Sequence, residues 1–122
     1  MPQPINFAER LTHFERRWSP HVIARLNDYE LKLAKLEGEF VWHQHDETDE
    51  AFIVLTGALR IELHEGPVDL GPGELYVVPR GVQHRPVARG LCEVLLIEPR
   101  GLVNTGEAGG PLTNAVVDLT QR

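Results

Sequence analysis

Glycine and proline recur through this chain at short, nearly even intervals, and each time they interrupt an apolar run too short to make a helix of ordinary length. The breakers are Asn27-Asp28, Gly38-Glu39, Gly57, Gly66-Pro67, Gly71-Pro72-Gly73, Pro79-Arg80-Gly81, Arg89-Gly90 and Pro99-Arg100-Gly101. Between them lie runs rich in Val, Ile, Leu and aromatic residues at 22–26, 29–36, 40–45, 51–55, 59–63, 75–78, 82–87 and 91–97. Such runs read as strands, and punctuation at this spacing favours an antiparallel sandwich or barrel over alternating strands and helices. Residues 59–64 alternate strictly between apolar and polar, so one face of that strand is buried and the other wet.

The two ends of the chain read differently. Phe7, Leu11, Phe14 and Trp18 recur at steps of four, three and four, predicting an amphipathic helix over about residues 6–18 that ends at Pro20. After Gly101 the chain turns small and polar, then offers a short apolar run at 115–119, which reads as a surface strap over 99–122. With 122 residues the chain makes one domain, 1–122, with its barrel over about 22–98. A net charge of −6 with interleaved signs argues against a nucleic-acid partner. The lone Cys92 excludes an intramolecular disulfide and sits in an apolar strand as a core residue, and no stretch has the length of a signal peptide or membrane span. A soluble, cytoplasmic protein with no membrane partner is expected.

The histidines carry the chemistry. His43 and His45 are two apart in a strand, so both rings leave one face. After the polar connection 46–49, read as a solvated turn, comes Glu50, which a hairpin would return beside the two imidazoles. His84 follows Pro79-Arg80-Gly81 far downstream. Three imidazoles and a carboxylate make a mixed nitrogen and oxygen set suited to a divalent first-row metal. His64 shares the polar register of Arg60 and Glu62 and reads as a surface residue, while His13 and His21 read as surface or capping residues beside the helix stop.

These residues resemble the two motifs of the cupin family. The first matches Gly38, His43, His45, Glu50 and Gly57, and the second matches Gly73, Pro79, Gly81 and His84, with 15 residues between Gly57 and Gly73. Two departures stand out: one residue fewer than the pattern lies between Gly38 and His43, and Ala88 replaces the final Asn. The chain as a whole is similar to the stand-alone bacterial cupins often called mannose-6-phosphate isomerase-like. The resemblance implies an all-β fold, a double-stranded β-helix or jelly-roll-like barrel with a short N-terminal helix. It also implies a metal (Mn, Fe, Ni, Cu or Zn) held inside one mouth by His43, His45, Glu50 and His84. The motif glycines are expected where strands turn with positive φ or approach closely.

Side-chain parity then predicts the surroundings of the site. Val41, Phe52 and Val54 share the ligand face and make an apolar pocket, with Tyr76 and Arg80 as polar contacts, whereas Trp42 and Gln44 point away. A divalent ion leaves this ligand set with a net positive charge, which favours a small anionic or enolisable molecule. Two functions remain open: a small metal-dependent enzyme of isomerase or dioxygenase type, or a non-catalytic module that binds or senses a small molecule. A general acid or base beyond the ligands would favour the enzyme, and Tyr76, Arg80 and Glu93 are the candidates. The apolar N-terminal stripe and an open sheet edge together predict a homodimer.

Overall fold

The computed structural model describes residues 1–120. Asn6 caps the one helix among them, its side chain accepting the Glu9 N–H at 2.9 Å. The helix, α1, spans Phe7–Leu11, and Thr12 closes it by donating its hydroxyl to the Glu9 carbonyl. The stripe that predicts a helix to residue 18 therefore overreaches. Sheet pairing wins because Arg17 bridges Lys35 and the Trp18 N–H donates to the Lys35 carbonyl at 2.8 Å, bonds that a continuing helix would forfeit.

Eight strands follow among the described residues: β1 His21–Leu26, β2 Tyr29–Glu39, β3 Glu50–Thr56, β4 Leu59–Leu63, β5 Val68–Leu70, β6 Leu75–Val78, β7 His84–Pro99 and β8 Val117–Asp118. The chain is all-β apart from α1. Strand β7 is the spine of the fold. It pairs antiparallel with β2 on one side, while its first part pairs with β4 and its second with β3 on the other. The runs 82–87 and 91–97, expected as two strands, are thus one strand in which Arg89-Gly90 marks the change of partner. The sheet order is β5-β4-β7-β2-β1-β8, with β3 also joined to β6, and the sheet does not close.

Two expectations about the histidine segment are corrected. Residues 40–45 form no regular strand: the backbone bonds there join Phe40 to Pro86, His43 to His84 and His45 to Gly81. Nor does the segment make a hairpin with the run that begins at Glu50, because β3 spends its backbone groups on β6 and β7. The short β5, flanked by Gly66-Pro67 and Gly71-Pro72-Gly73, was too brief to stand out in the sequence.

Two apolar clusters result from the alternation along β2 and β7. The inner one holds Ala34, Leu36, Phe52, Val54, Val94 and Leu96 among others, and Trp18 and Phe40 join it. The outer one packs Leu11 and Phe14 with Ile23, Leu33, Leu95 and Leu119. His21 is buried there at 5% exposure, its ring stacked on Phe14 at 3.7 Å, so it is neither a surface nor a capping residue. The N-terminal stripe is largely spent on its own chain, since only Phe7 remains substantially exposed. The C-terminal segment lies across both clusters: Leu112 packs on the inner one, Leu119 on the outer one, and β8 pairs with β1. Residues 121–122 of the expected strap lie outside the described residues. No helix among the described residues is long and apolar enough to cross a membrane.

Candidate metal centre

His43, His45, Glu50 and His84 are all buried and their ligand atoms lie within 4.8 Å of one another. The extended segment supplies the first two, the start of β3 the carboxylate and the start of β7 the third imidazole. The reciprocal backbone bonds between His43 and His84, 3.0 and 2.9 Å, hold two of the rings side by side. Gly106 braces the segment from outside: at φ +59° its Cα lies so close to the Gln44 carbonyl that a Cβ would collide with it. The four motif glycines, Gly38, Gly57, Gly73 and Gly81, all have φ between 76° and 86°.

Hydrogen bonding orients the imidazoles as a metal requires. The Nδ1–H of His43 donates to the Val41 carbonyl at 2.9 Å, and that of His84 donates to the Val82 carbonyl at 3.0 Å. Both rings therefore turn a lone pair on Nε2 toward the centre. There, His45 Nε2 and His84 Nε2 each lie 3.4 Å from Glu50 Oε1, and all three atoms are buried without a hydrogen-bond partner. Buried polar atoms left unpaired cost roughly 1–3 kcal/mol each, so a convergence of three needs an explanation. Two ligands at about 2.1 Å from one ion lie at most about 4.2 Å apart, so the observed set closes around an ion with sub-ångström adjustment. The residues present fit a divalent metal.

The electrostatics add a fifth side chain. Extending the pairing of Ala51 with Ile97 by one residue sets Glu50 opposite Glu98, and both carboxyl side chains line the same cavity. Burial drives the Glu98 carboxyl well above the usual range and the Glu50 charge adds to it, while Lys32 pulls the other way. Burial also acts to raise Glu50, but its close polar neighbours Glu98, His45 and His84 outweigh it and hold that carboxyl well below the usual range. Lys32, fully buried, meets Glu98 at 3.0 Å and Glu30 at 3.7 Å. Burial, reinforced by the charge of His84, depresses His43 to about 4.

A cavity adjoins this group, lined by His43, Glu50 and Glu98 together with apolar walls that include Trp18, Phe40, Phe52 and Leu96. The space swept by the centre of a water-sized sphere is about 30 Å³, enough for one or two waters. Of the residues expected to line it, Phe52 does. Val41, Val54 and Tyr76 instead pack against the inner core. Trp42 stacks on the exposed His64 at 4.6 Å, away from the centre as its parity predicts. The remaining catalytic candidates are elsewhere: Arg80 is exposed, its N–H donating to Asp49, and Glu93 accepts from Thr56 on the outer side of β7. Cys92 is buried in the core, and burial pushes its thiol up to about 11.

Trp18 is the wall that sequence periodicity missed. Its φ of +60° is a left-handed conformation that bulky residues rarely adopt, at a cost of order 1–3 kcal/mol. The strain is held by partners on every side: its N–H and indole Nε1–H donate to Lys35 and Glu37, and its carbonyl accepts from the side-chain amides of Asn104 and Asn114. The indole stacks on Phe40 at 4.5 Å, and Phe40 meets the His43 ring edge-on at 5.2 Å. Glu98 escaped notice for a different reason: only the pairing of β3 with β7 reveals it.

The comparisons agree with this architecture. Residues 29–98 match the family model described as a cupin domain. The solved structure of a cupin-2 domain containing protein from Shewanella frigidimarina is 51% identical, covers 79% of this chain and 94% of its own, and superposes with a TM-score of 0.78. That of protein NMB1881 from Neisseria meningitidis is 31% identical over 80% of this chain and 99% of its own, with a TM-score of 0.72. The uncharacterized protein YdbB of Bacillus subtilis is 38% identical over 64 residues, 52% of this chain. That match spans 57% of the curated relative's length.

Proposed function

This chain belongs to the cupin family, and from that premise we propose that it holds one divalent transition ion, Mn, Fe, Ni, Cu or Zn, on His43, His45, Glu50 and His84. The observation that carries the reading is the convergence of three buried, unpartnered ligand atoms, His45 Nε2, Glu50 Oε1 and His84 Nε2. Such an ion supplies Lewis acidity, or a redox centre if it is iron, manganese or copper. The chain's own residues do the rest: the apolar walls exclude water, and the carbonyls of Val41 and Val82 fix two imidazoles.

The substrate class is a small anionic or enolisable molecule, and the reaction is of isomerase or dioxygenase type. Glu98 favours an enzyme over a sensing module, because it is an ionisable side chain beyond the four ligands that lines the cavity. Tyr76, Arg80 and Glu93 do not line that cavity, which makes Glu98 the stronger candidate for that part. The buried single thiol fits a reducing cytoplasm. A homodimer is part of the proposal. With Leu11, Phe14 and Trp18 spent on the chain's own clusters, its support is the exposed pair Leu75 and Val77 on β6, together with Phe7.

Elemental analysis of protein purified without chelator or affinity nickel tests the metal. About one equivalent is expected, with His84→Ala near zero and His64→Ala unchanged; full loading of His84→Ala contradicts the assignment. Loaded and stripped protein screened against small carboxylates, phosphosugars and enediols, with and without oxygen, tests the chemistry. Turnover by the loaded form alone supports the enzyme, whereas binding without turnover selects the sensing module. Light scattering at micromolar concentration tests the dimer, and a mass near 13.7 kDa refutes it.

A further inference from the structure

Trp18 is held more firmly than a core aromatic needs. Packing alone does not require a left-handed backbone, and the conformation persists because four hydrogen bonds from three separate parts of the chain enforce it. Asn104 and Asn114 lie 86 and 96 residues further on, yet both direct a side-chain amide to the Trp18 carbonyl. What the strained backbone achieves is the placement of the indole. A helix continued through residue 18 would carry Trp18 with Leu11 and Phe14 toward the outer cluster, whereas here it joins the inner one. There it stacks on Phe40, which abuts His43, and it forms one wall of the cavity, a space of about 30 Å³.

We infer that Trp18 is the specificity-determining wall of this cavity, and that it limits the molecule bound beside the metal to a few heavy atoms, such as a linear or planar small anion. The inference rests on the proposed metal reading and narrows its substrate class. A rigid apolar wall discriminates by size, because a larger ligand must displace an indole pinned on both its backbone and its ring nitrogen. Enlarging the ligand by a ring is therefore expected to cost far more than changing its charge distribution.

The test uses the full chain loaded with Co²⁺, whose visible spectrum reports both the ion and any ligand entering its coordination sphere. The probes are azide, with three heavy atoms, and benzoate, with nine. In the native protein azide shifts the spectrum saturably and benzoate binds at least about 100-fold more weakly. Trp18→Gly suits its positive φ and removes the wall, so benzoate affinity rises at least about tenfold while azide changes by no more than about threefold. An Asn104→Ala/Asn114→Ala double variant keeps the indole but frees its backbone, and is expected to shift the same ratio in the same direction. Free indole supplies a readout that needs no metal: it raises the melting temperature of Trp18→Gly and leaves that of the native protein unchanged. Comparable azide and benzoate affinities in native protein overturn the inference, as does an unchanged ratio in both variants. Failure of native protein to take up Co²⁺ refutes the metal reading instead, and the indole measurement then decides the wall: no response of Trp18→Gly overturns it.

Discussion

The two faces of β2 bury the same kinds of residue to opposite ends. Each face hides a lysine. On the outer face Lys35 donates to the Phe14 carbonyl at 2.7 Å and lies 5.2 Å from the centre of the Phe14 ring, while the neighbouring His21 bonds to the Ser19 carbonyl at 2.8 Å. On the inner face Lys32 is paired with Glu98, but beyond that pair His45, Glu50, His84 and Glu98 itself each leave a buried atom with no hydrogen-bond partner. Burial is similar on both sides, so burial does not mark function. What separates them is satisfaction: the outer polar groups complete one another within the chain, and the inner ones leave buried atoms that an added ion would complete.

The sharpest break of this comparison removes an inner ligand. His84→Ala is expected to reduce metal content from about one ion per chain to background, because the three remaining ligands no longer surround it. His21→Ala, on the outer face, is expected to leave metal content unchanged. Loss of metal in both variants would mean that general destabilisation, not ligation, is being read.

The paired lysines give the next largest effect. Lys32→Met strips a buried carboxyl pair of its cation and is expected to destabilise the metal-free protein by about 4 kcal/mol. Lys35→Met forfeits one hydrogen bond, a ring contact and an ion pair with the exposed Glu15 carboxylate at 3.7 Å, with an expected cost of about 1–2 kcal/mol. Urea unfolding at pH 7 measures both, and equal costs would erase the distinction between the faces.

Much of the inner face was legible in the sequence because a candidate ligand set is constrained by short spacing: His43 and His45 in one stretch, Glu50 five residues on, His84 behind a Pro-x-Gly turn. The strands over 59–63 and 75–78 were equally plain, being bounded by turn residues. Trp18 was not, because the four-three-four stripe of Phe7, Leu11, Phe14 and Trp18 is compatible with a helix, and only pairing with β2 shows that the helix stops at Leu11. Glu98 and Lys32 were hidden for a related reason. Their partners lie 48 and 66 residues away from Glu98 along the chain, a separation that no local pattern encodes. The polarity of residues 29–39 gave no warning that Glu30 and Lys32 face inward.

Acidity should act on both faces with one sign. Burial, with help from His84, lowers His43 to about 4 from an ordinary value near 6.5, and burial lowers His21 as well. The folded state then binds fewer protons than the unfolded state across that window, so stability present at neutral pH is lost as pH falls from about 6.5 toward 4. His43 alone accounts for up to about 3 kcal/mol in metal-free protein. Urea midpoints in chelator at pH 7 and pH 5 check this, and a flat profile contradicts it. Metal-loaded protein should lose stability more steeply, since protons and metal compete for the same nitrogens. The smallest effect concerns Cys92: with its thiol raised to about 11, reaction with a disulfide reagent in native buffer should wait on unfolding.

X-ray absorption fine structure on the metal-loaded protein tests the central claim most directly, namely that one ion completes the unpartnered atoms of the inner face. The account predicts nitrogen and oxygen donors at about 2.0–2.2 Å with outer-shell scattering that fits three imidazole rings. That signal should fall by one ring in any His84→Ala protein forced to load. A spectrum without imidazole scattering, or one that His84→Ala leaves unaltered, would contradict it.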